Sequence, residues 1–117
     1  MLLFAIIFFC GQNNFVNAEE KFIYKDSDGY KYYIVTEKIH YVNYEKRKGV
    51  YVPLIEDRNG KKYTKSYMYC KNRKGIWKCF FGFIAPVTVE EENSSIYLAF
   101  VNAQKYIDFD KVPNSDF

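Results

Sequence analysis

Residue types that carry chemistry are few in this chain. There is one histidine, His40, and it lies in a strand-like run with no nucleophile motif beside it. One histidine and a pair of thiols are too few for a zinc site. Glu90, Glu91 and Glu92 are consecutive and lack the alternating acidic spacing of a calcium loop, so they read as a solvated turn. The glycines stand singly at turns, which leaves no glycine-rich phosphate loop. Asn93-Ser94-Ser95 fits a glycosylation sequon, a short pattern that matters only in a eukaryotic secretory pathway. The expectation is a protein that is not an enzyme and holds no metal or cofactor.

Recognition is better supplied. Twelve Tyr and eleven Phe make the chain unusually aromatic, and tyrosine joins a ring that buries well to a hydroxyl that reaches water. Between Glu45 and Lys78, eleven basic residues face three acidic ones, a net +8, while the whole chain carries only +3. Such a segment attracts sulfated glycans, lipid phosphates or acidic protein surfaces, or else serves only to keep edge strands soluble. Tyr and Arg are the commonest interface anchors, so Arg47, Tyr51, Tyr63, Tyr67 and Arg73 are the expected contact residues. The tyrosines and lysines of Tyr63–Lys71 also suit a single-stranded nucleic-acid platform. Export argues against that, and no nucleic-acid partner is expected.

Export is read from the first eighteen residues. An uncharged apolar run, Met1–Phe9, precedes a polar stretch and then Val16-Asn17-Ala18, the small residues at minus three and minus one that signal peptidase recognises. Cleavage after Ala18 leaves residues 19–117, enough for a single domain. No Lys or Arg precedes the apolar run, which would fit a true start further upstream. The run is too short to span a bilayer, so no transmembrane anchor is expected in the mature chain. Cys10 falls in the export segment, and Phe9 stands where lipoprotein processing requires a small residue. Cys70 and Cys79 remain, and in an oxidising compartment two thiols read as one disulfide.

The elements that position these residues are mostly strands. Lys21–Lys25 and Tyr30–Thr36 flank Ser27-Asp28-Gly29, and Asn59-Gly60 turns Val50–Ile55 into Lys62–Cys70, two strong hairpin signals. Lys38–Tyr44 and Ile76–Ile84 are further strands. Pro53 cannot donate to a ladder, so it marks an edge or a bulge. After Ser94 the apolar residues Ile96, Phe100, Ala103 and Ile107 recur at helical spacing, which predicts a helix over Ser94–Ile107 with Asn93 or Ser94 as its cap. Asp108–Phe117 has no period and is expected to fray. The fold class is α+β: a five- or six-stranded, mostly antiparallel sheet with one C-terminal helix packed on a face.

The turn between Cys70 and Cys79 decides their relation. A two-residue loop at Lys74-Gly75 sets them directly opposite, about 4.5 Å apart at a non-hydrogen-bonded pair. A turn at Arg73-Lys74 sets them diagonally on one face, bridgeable with strain. A three-residue loop, Arg73–Gly75, sends the sulfurs to opposite faces, where no bridge forms. A bridge would stabilise the fold by roughly 2–3 kcal/mol.

The order of these signals resembles the surface-adhesin protein E family of small exported bacterial proteins. Its Tyr-Tyr-Ile-Asp-Thr-x-x-Ile motif is matched by Tyr32-Tyr33-Ile34-Val35-Thr36-Glu37-Lys38-Ile39, with Val35 in place of Asp. Its Val-x-Val strand is matched by Val50-Tyr51-Val52, and a later aromatic strand by Tyr69 to Arg73 around Cys70. The resemblance implies an antiparallel sheet with a short C-terminal helix, located at or outside a bacterial envelope; the family's namesake is linked to adhesion to host cells and matrix proteins. No cysteine lies near the C-terminus to pair with Cys70 as in relatives, so the resemblance makes Cys79 the substitute partner. The expected function is that of a secreted or envelope-associated binding domain for a protein or an acidic glycan. The alternatives are a small enzyme inhibitor using the loops Glu45–Gly49 or Asn72–Gly75, and a structural envelope component.

Overall fold

The computed structural model describes residues 20–44, 47–82 and 85–117. The expected export segment, 1–18, with Cys10, lies outside them. So do Glu45 and Lys46 of the charged loop.

Seven antiparallel strands form one open sheet: β1 (Glu20–Lys25), β2 (Lys31–Val35), β3 (His40–Tyr44), β4 (Arg47–Arg58), β5 (Lys61–Lys71), β6 (Trp77–Phe80) and β7 (Val87–Thr88). The order is β1-β2-β4-β5-β6-β7, with β3 also on β4. β2 pairs with residues 54–57 of β4 and β3 with residues 47–51, both on the same edge. The 3₁₀ turn Thr36–Lys38 takes up the slack between them. Val52 and Pro53 fall in the gap, and there a residue without an N–H costs no ladder bond on that side. Pro53 therefore sits inside a central strand, at the one interval where its neighbour steps away.

Both expected hairpin turns form. Asn59 and Gly60 take positive φ (54° and 93°) in a two-residue loop, with Arg58 opposite Lys61. Asp26 organises the other turn, its Oδ1 accepting the N–H groups of Asp28 and Tyr30.

Strand alternation gives the sheet two distinct faces. Ile34, Val50, Val52, Leu54, Tyr67, Tyr69 and Cys79 point to one side, where helix α1 (Ser94–Ala103) packs through Ile96, Ala99 and Ala103. Tyr69 donates its hydroxyl to the Ile96 carbonyl at 2.7 Å, and Trp77, Phe100 and Phe109 close the core around it. The helix is shorter than its apolar spacing predicts. The Asn102 carbonyl accepts Lys105 N–H, a tighter turn, so Ile107 reaches the core from a turn rather than from a helix. Asn93 holds the cap position, but its side-chain amide donates to the Thr88 carbonyl instead.

The tail does not fray. Phe109 and Val112 are buried, and Ser115 sits at the end of the sheet, where the register extended by one step would set Lys48 opposite Lys71. Ser115 N–H donates to the Lys71 carbonyl at 2.8 Å. Its hydroxyl accepts from Lys48 N–H at 3.0 Å and donates to the Lys48 carbonyl at 3.2 Å.

The expected disulfide is corrected by the register. Asn72 and Ile76 close a three-residue loop, Arg73–Gly75, in which Asn72 Oδ1 accepts from Lys74 and Ile76 N–H and Gly75 takes φ 79°. Cys70 then faces Lys78 and Cys79 faces Tyr69, so the sulfurs lie on opposite sides of the sheet. Both thiols are free and buried. Burial pushes Cys70 up to about 11 and Cys79 up to about 12.

Candidate functional site

Helix α1 covers only part of its face. Beyond Leu54 and Ile34, toward the Asn59-Gly60 turn, that face becomes polar in register rows. The first row is Tyr32, Glu56 and Tyr63, and the next ends in Arg58 opposite Lys61. Glu56 is 2 % exposed. It accepts the Tyr32 hydroxyl at 2.8 Å, Arg58 Nη2 at 2.9 Å and Lys65 Nζ at 3.2 Å. Burial alone would push its carboxyl up. The hydrogen bonds from Tyr32, Arg58 and Lys65 outweigh that and leave it below the usual carboxylate value. The Tyr32 hydroxyl is pushed up, first by burial and then by Glu56, and it also lies 3.2 Å from Asp26 Oδ2.

Cations and rings alternate around this carboxylate. The Arg58 guanidinium lies 4.5 Å from the Tyr63 centroid and 5.3 Å from that of Tyr30. Lys61 Nζ stands 5.7 Å from the Tyr63 ring, and Lys65 Nζ 5.7 Å from the Tyr32 ring. Tyr24 extends the aromatic surface, 5.7 Å from Tyr32. Arg58 and Lys65 keep about two-fifths of their side chains exposed, 41 % and 40 %, while a buried acid fixes their heads. Arg58 Nε is buried without a hydrogen-bond partner. The result is a shelf of oriented donors over aromatic rings, which suits sulfate, phosphate or carboxylate groups.

The sequence-predicted contact residues do not converge. Tyr63 belongs to this shelf. Tyr67 is buried under the helix, its hydroxyl 2.9 Å from Ser95 Oγ, and is a core residue rather than a contact. Tyr51 points to the other face, in ring contact with His40 at 5.0 Å. It lines a shallow trough of about 470 Å³ with Val35, Glu37, Lys38, Pro53 and Ser66, directly over the gap between β2 and β3. Arg47 caps the Phe80 ring at 4.1 Å, at the far end of that second face. Arg73 lies in the β5–β6 loop, held by Asp116 at 2.8 Å. The basic segment is folded back on itself, so its charges divide between two ends of the sheet. One end holds Arg58, Lys61, Lys62 and Lys65; the other holds Arg47, Lys48, Lys71, Arg73, Lys74 and Lys78. Lys61 and Lys71 stand at opposite ends of β5, roughly 33 Å apart, and Lys65 and Lys71, the nearest members along the strand, roughly 20 Å.

Sequence reading missed Glu56, Arg58, Lys65 and Tyr32 as a unit. The available signal was an acid in the middle of an alternating apolar strand, Val50-x-Val52-x-Leu54-x-Glu56, which predicts an inward carboxylate in need of partners. His40 is exposed, with Nδ1 2.8 Å from the Lys38 carbonyl oxygen. Among the described residues no group of three or more His, Cys, Asp or Glu could hold a metal ion, and no helix is long and apolar enough to cross a membrane. No family model, curated protein or solved structure matches this chain.

Proposed function

We propose that this protein is a non-enzymatic binding domain, secreted or held at a bacterial envelope, that recognises polyanionic surfaces through the Arg58–Lys61–Lys65 shelf. The observation that carries the reading is the buried Glu56, which holds Arg58 and Lys65 at fixed positions among Tyr30, Tyr32 and Tyr63. Cations anchored this way lose little freedom when an anion arrives, and the rings beside them exclude water from the contact. The export signal ending at Ala18 supports the location, and the resemblance carried by Tyr32–Ile39 supports an adhesin-like role. The partner class is an acidic glycan or an acidic protein face.

Heparin serves as the probe. The expected result is binding that weakens steeply with salt, and a loss of about tenfold or more on Lys61→Glu with an unchanged unfolding midpoint. Lys61 is exposed, with its Nζ 5.7 Å from the Tyr63 ring, so its replacement spares the fold. Equal binding by Lys61→Glu, Arg58→Gln and the parent would refute the reading.

A second reading, a secreted enzyme inhibitor, draws on the bracing of the β5–β6 loop. Arg73 N–H donates to the Phe117 main-chain oxygen at 2.7 Å, and Asn114 Nδ2 donates to the Arg73 carbonyl. Stoichiometric loss of activity in a panel of hydrolases would favour it.

A further inference from the structure

The sheet has three free edges, and they are protected to very different degrees. β1 carries Lys21 and Lys25 and is bent by a bulge between Phe22 and Tyr24. β7 is two residues long and follows Pro86. Charges, bulges, short length and nearby proline are the usual defences of an edge against another strand. β3 has none of them. It reads His40-Tyr41-Val42-Asn43-Tyr44, with no charged residue and no proline, and its register with β4 is unbroken over all five positions. Four of the five residues are exposed, Tyr44 by 62 % and Tyr41 by 46 %. Among the described residues β3 pairs only with β4, so its outer row of backbone donors and acceptors has no strand partner, although the Tyr41 hydroxyl donates to the Asp108 carbonyl of the tail at 2.8 Å.

We propose that this edge pairs with β3 of a second copy of the chain, in antiparallel register about a two-fold axis through Val42, joining two sheets into one. The self-complementarity of the strand identifies the partner. In that register Val42 meets Val42, His40 meets Tyr44 and Tyr41 meets Asn43, so every cross-strand pair is apolar, aromatic or hydrogen-bonding and no like charges meet. The same centring on β1 would be broken by its bulge. His40, Val42 and Tyr44 lie on the face that the helix leaves bare, where His40 already contacts Tyr51. Two copies thus present one continuous aromatic face, with the anion shelf of each copy on the opposite side and unobstructed. Five residue pairs bury less area than a permanent interface, so the dimer is weak and concentration-dependent.

Sedimentation equilibrium of residues 19–117, which hold every described element, tests the proposal from about 10 μM to 1 mM. The mass is expected to rise from one chain toward two. In the unmodified protein, alternate amides of 40–44 should gain exchange protection over the same concentration range. Val42→Lys sets two cations directly opposite and should weaken dimerisation at least tenfold. Val42→Glu should do the same, and an equimolar mixture of the two variants should form a heterodimer. A monomer across the whole range, or protection at β1 in place of β3, overturns the proposal. So does a dimer unaffected by Val42→Lys, or a mixture that fails to pair while each variant keeps the parent's circular dichroism.

Discussion

Replacing Glu56 by Gln tests whether the buried carboxylate organises the shelf. Gln keeps the size and can still accept the Tyr32 hydroxyl, but it turns an amide NH₂ toward Arg58 and Lys65. Those two side chains are 41 % and 40 % exposed, so water recovers much of what their heads lose. Tyr32 is buried but retains Asp26 Oδ2 at 3.2 Å. The remaining cost is close to that of one hydrogen bond to a buried charge, about 2 kcal/mol. For a domain of this size that lowers Tm by roughly 8–16 °C. The pH dependence carries the sign. The folded carboxyl is held below its ordinary value, so its contribution is complete above about pH 4.3 and is lost as pH falls through the lower folded value. Urea unfolding of parent and Glu56→Gln should therefore show a gap of about 2 kcal/mol at neutral pH that closes as pH falls below the ordinary carboxylate range. A gap below about 0.5 kcal/mol at pH 7, or one that persists unchanged into acid, would refute the assignment.

Two further outcomes follow from the packing. In a chain with Cys10 replaced by serine, Cys70 and Cys79 should resist a disulfide reagent at about pH 8 while folded, because burial pushes them up to about 11 and about 12. Both should react once the chain is denatured. One bridge per chain by mass spectrometry would contradict the observed register. Gly49→Ala drives a methyl into the Tyr69 carbonyl and to within 2.8 Å of Cys70 Sγ, at a position paired on both sides by Val42 and Cys70. Because backbone has to move, a loss of about 3 kcal/mol is expected in chemical denaturation, and a neutral result would show that β4 and β5 separate easily there.

The fold was legible wherever a local pattern sufficed. Asn59-Gly60 fixes its turn by needing two consecutive positive φ values, and the spacing of Ile96, Phe100 and Ala103 marks the helix, all three in or against the core. Other features depend on distant chain. Pro53 read as an edge signal because the detour at Thr36–Lys38 that spares its missing N–H lies on another strand. The tail read as loose because its partners, Lys48 and Lys71, are far away in sequence. The three-residue loop at Arg73–Gly75 is one of three turns that the sequence allows, and the Asn72 side chain favours it as an Asx turn by accepting two N–H groups. The site was legible in kind, as tyrosines among cations, but not in place. Linear proximity in the basic segment became distance across the sheet, and only Tyr63 of the five expected contacts lies on the shelf.

Ser115 has a consequence for the order in which the molecule forms. Its contacts to Lys48 span 67 residues, and it is made after every strand and the helix. During synthesis only water is there to satisfy Lys48 N–H and the Lys71 carbonyl at the end of β4 and β5 until the tail arrives. The helix that covers β1 and β2 also comes late, so the earliest strands wait for some of the latest residues. Contacts this far apart in sequence slow folding, because the loop must close before they reward it. The residue that latches this end of the sheet therefore emerges only after the two strands that it joins.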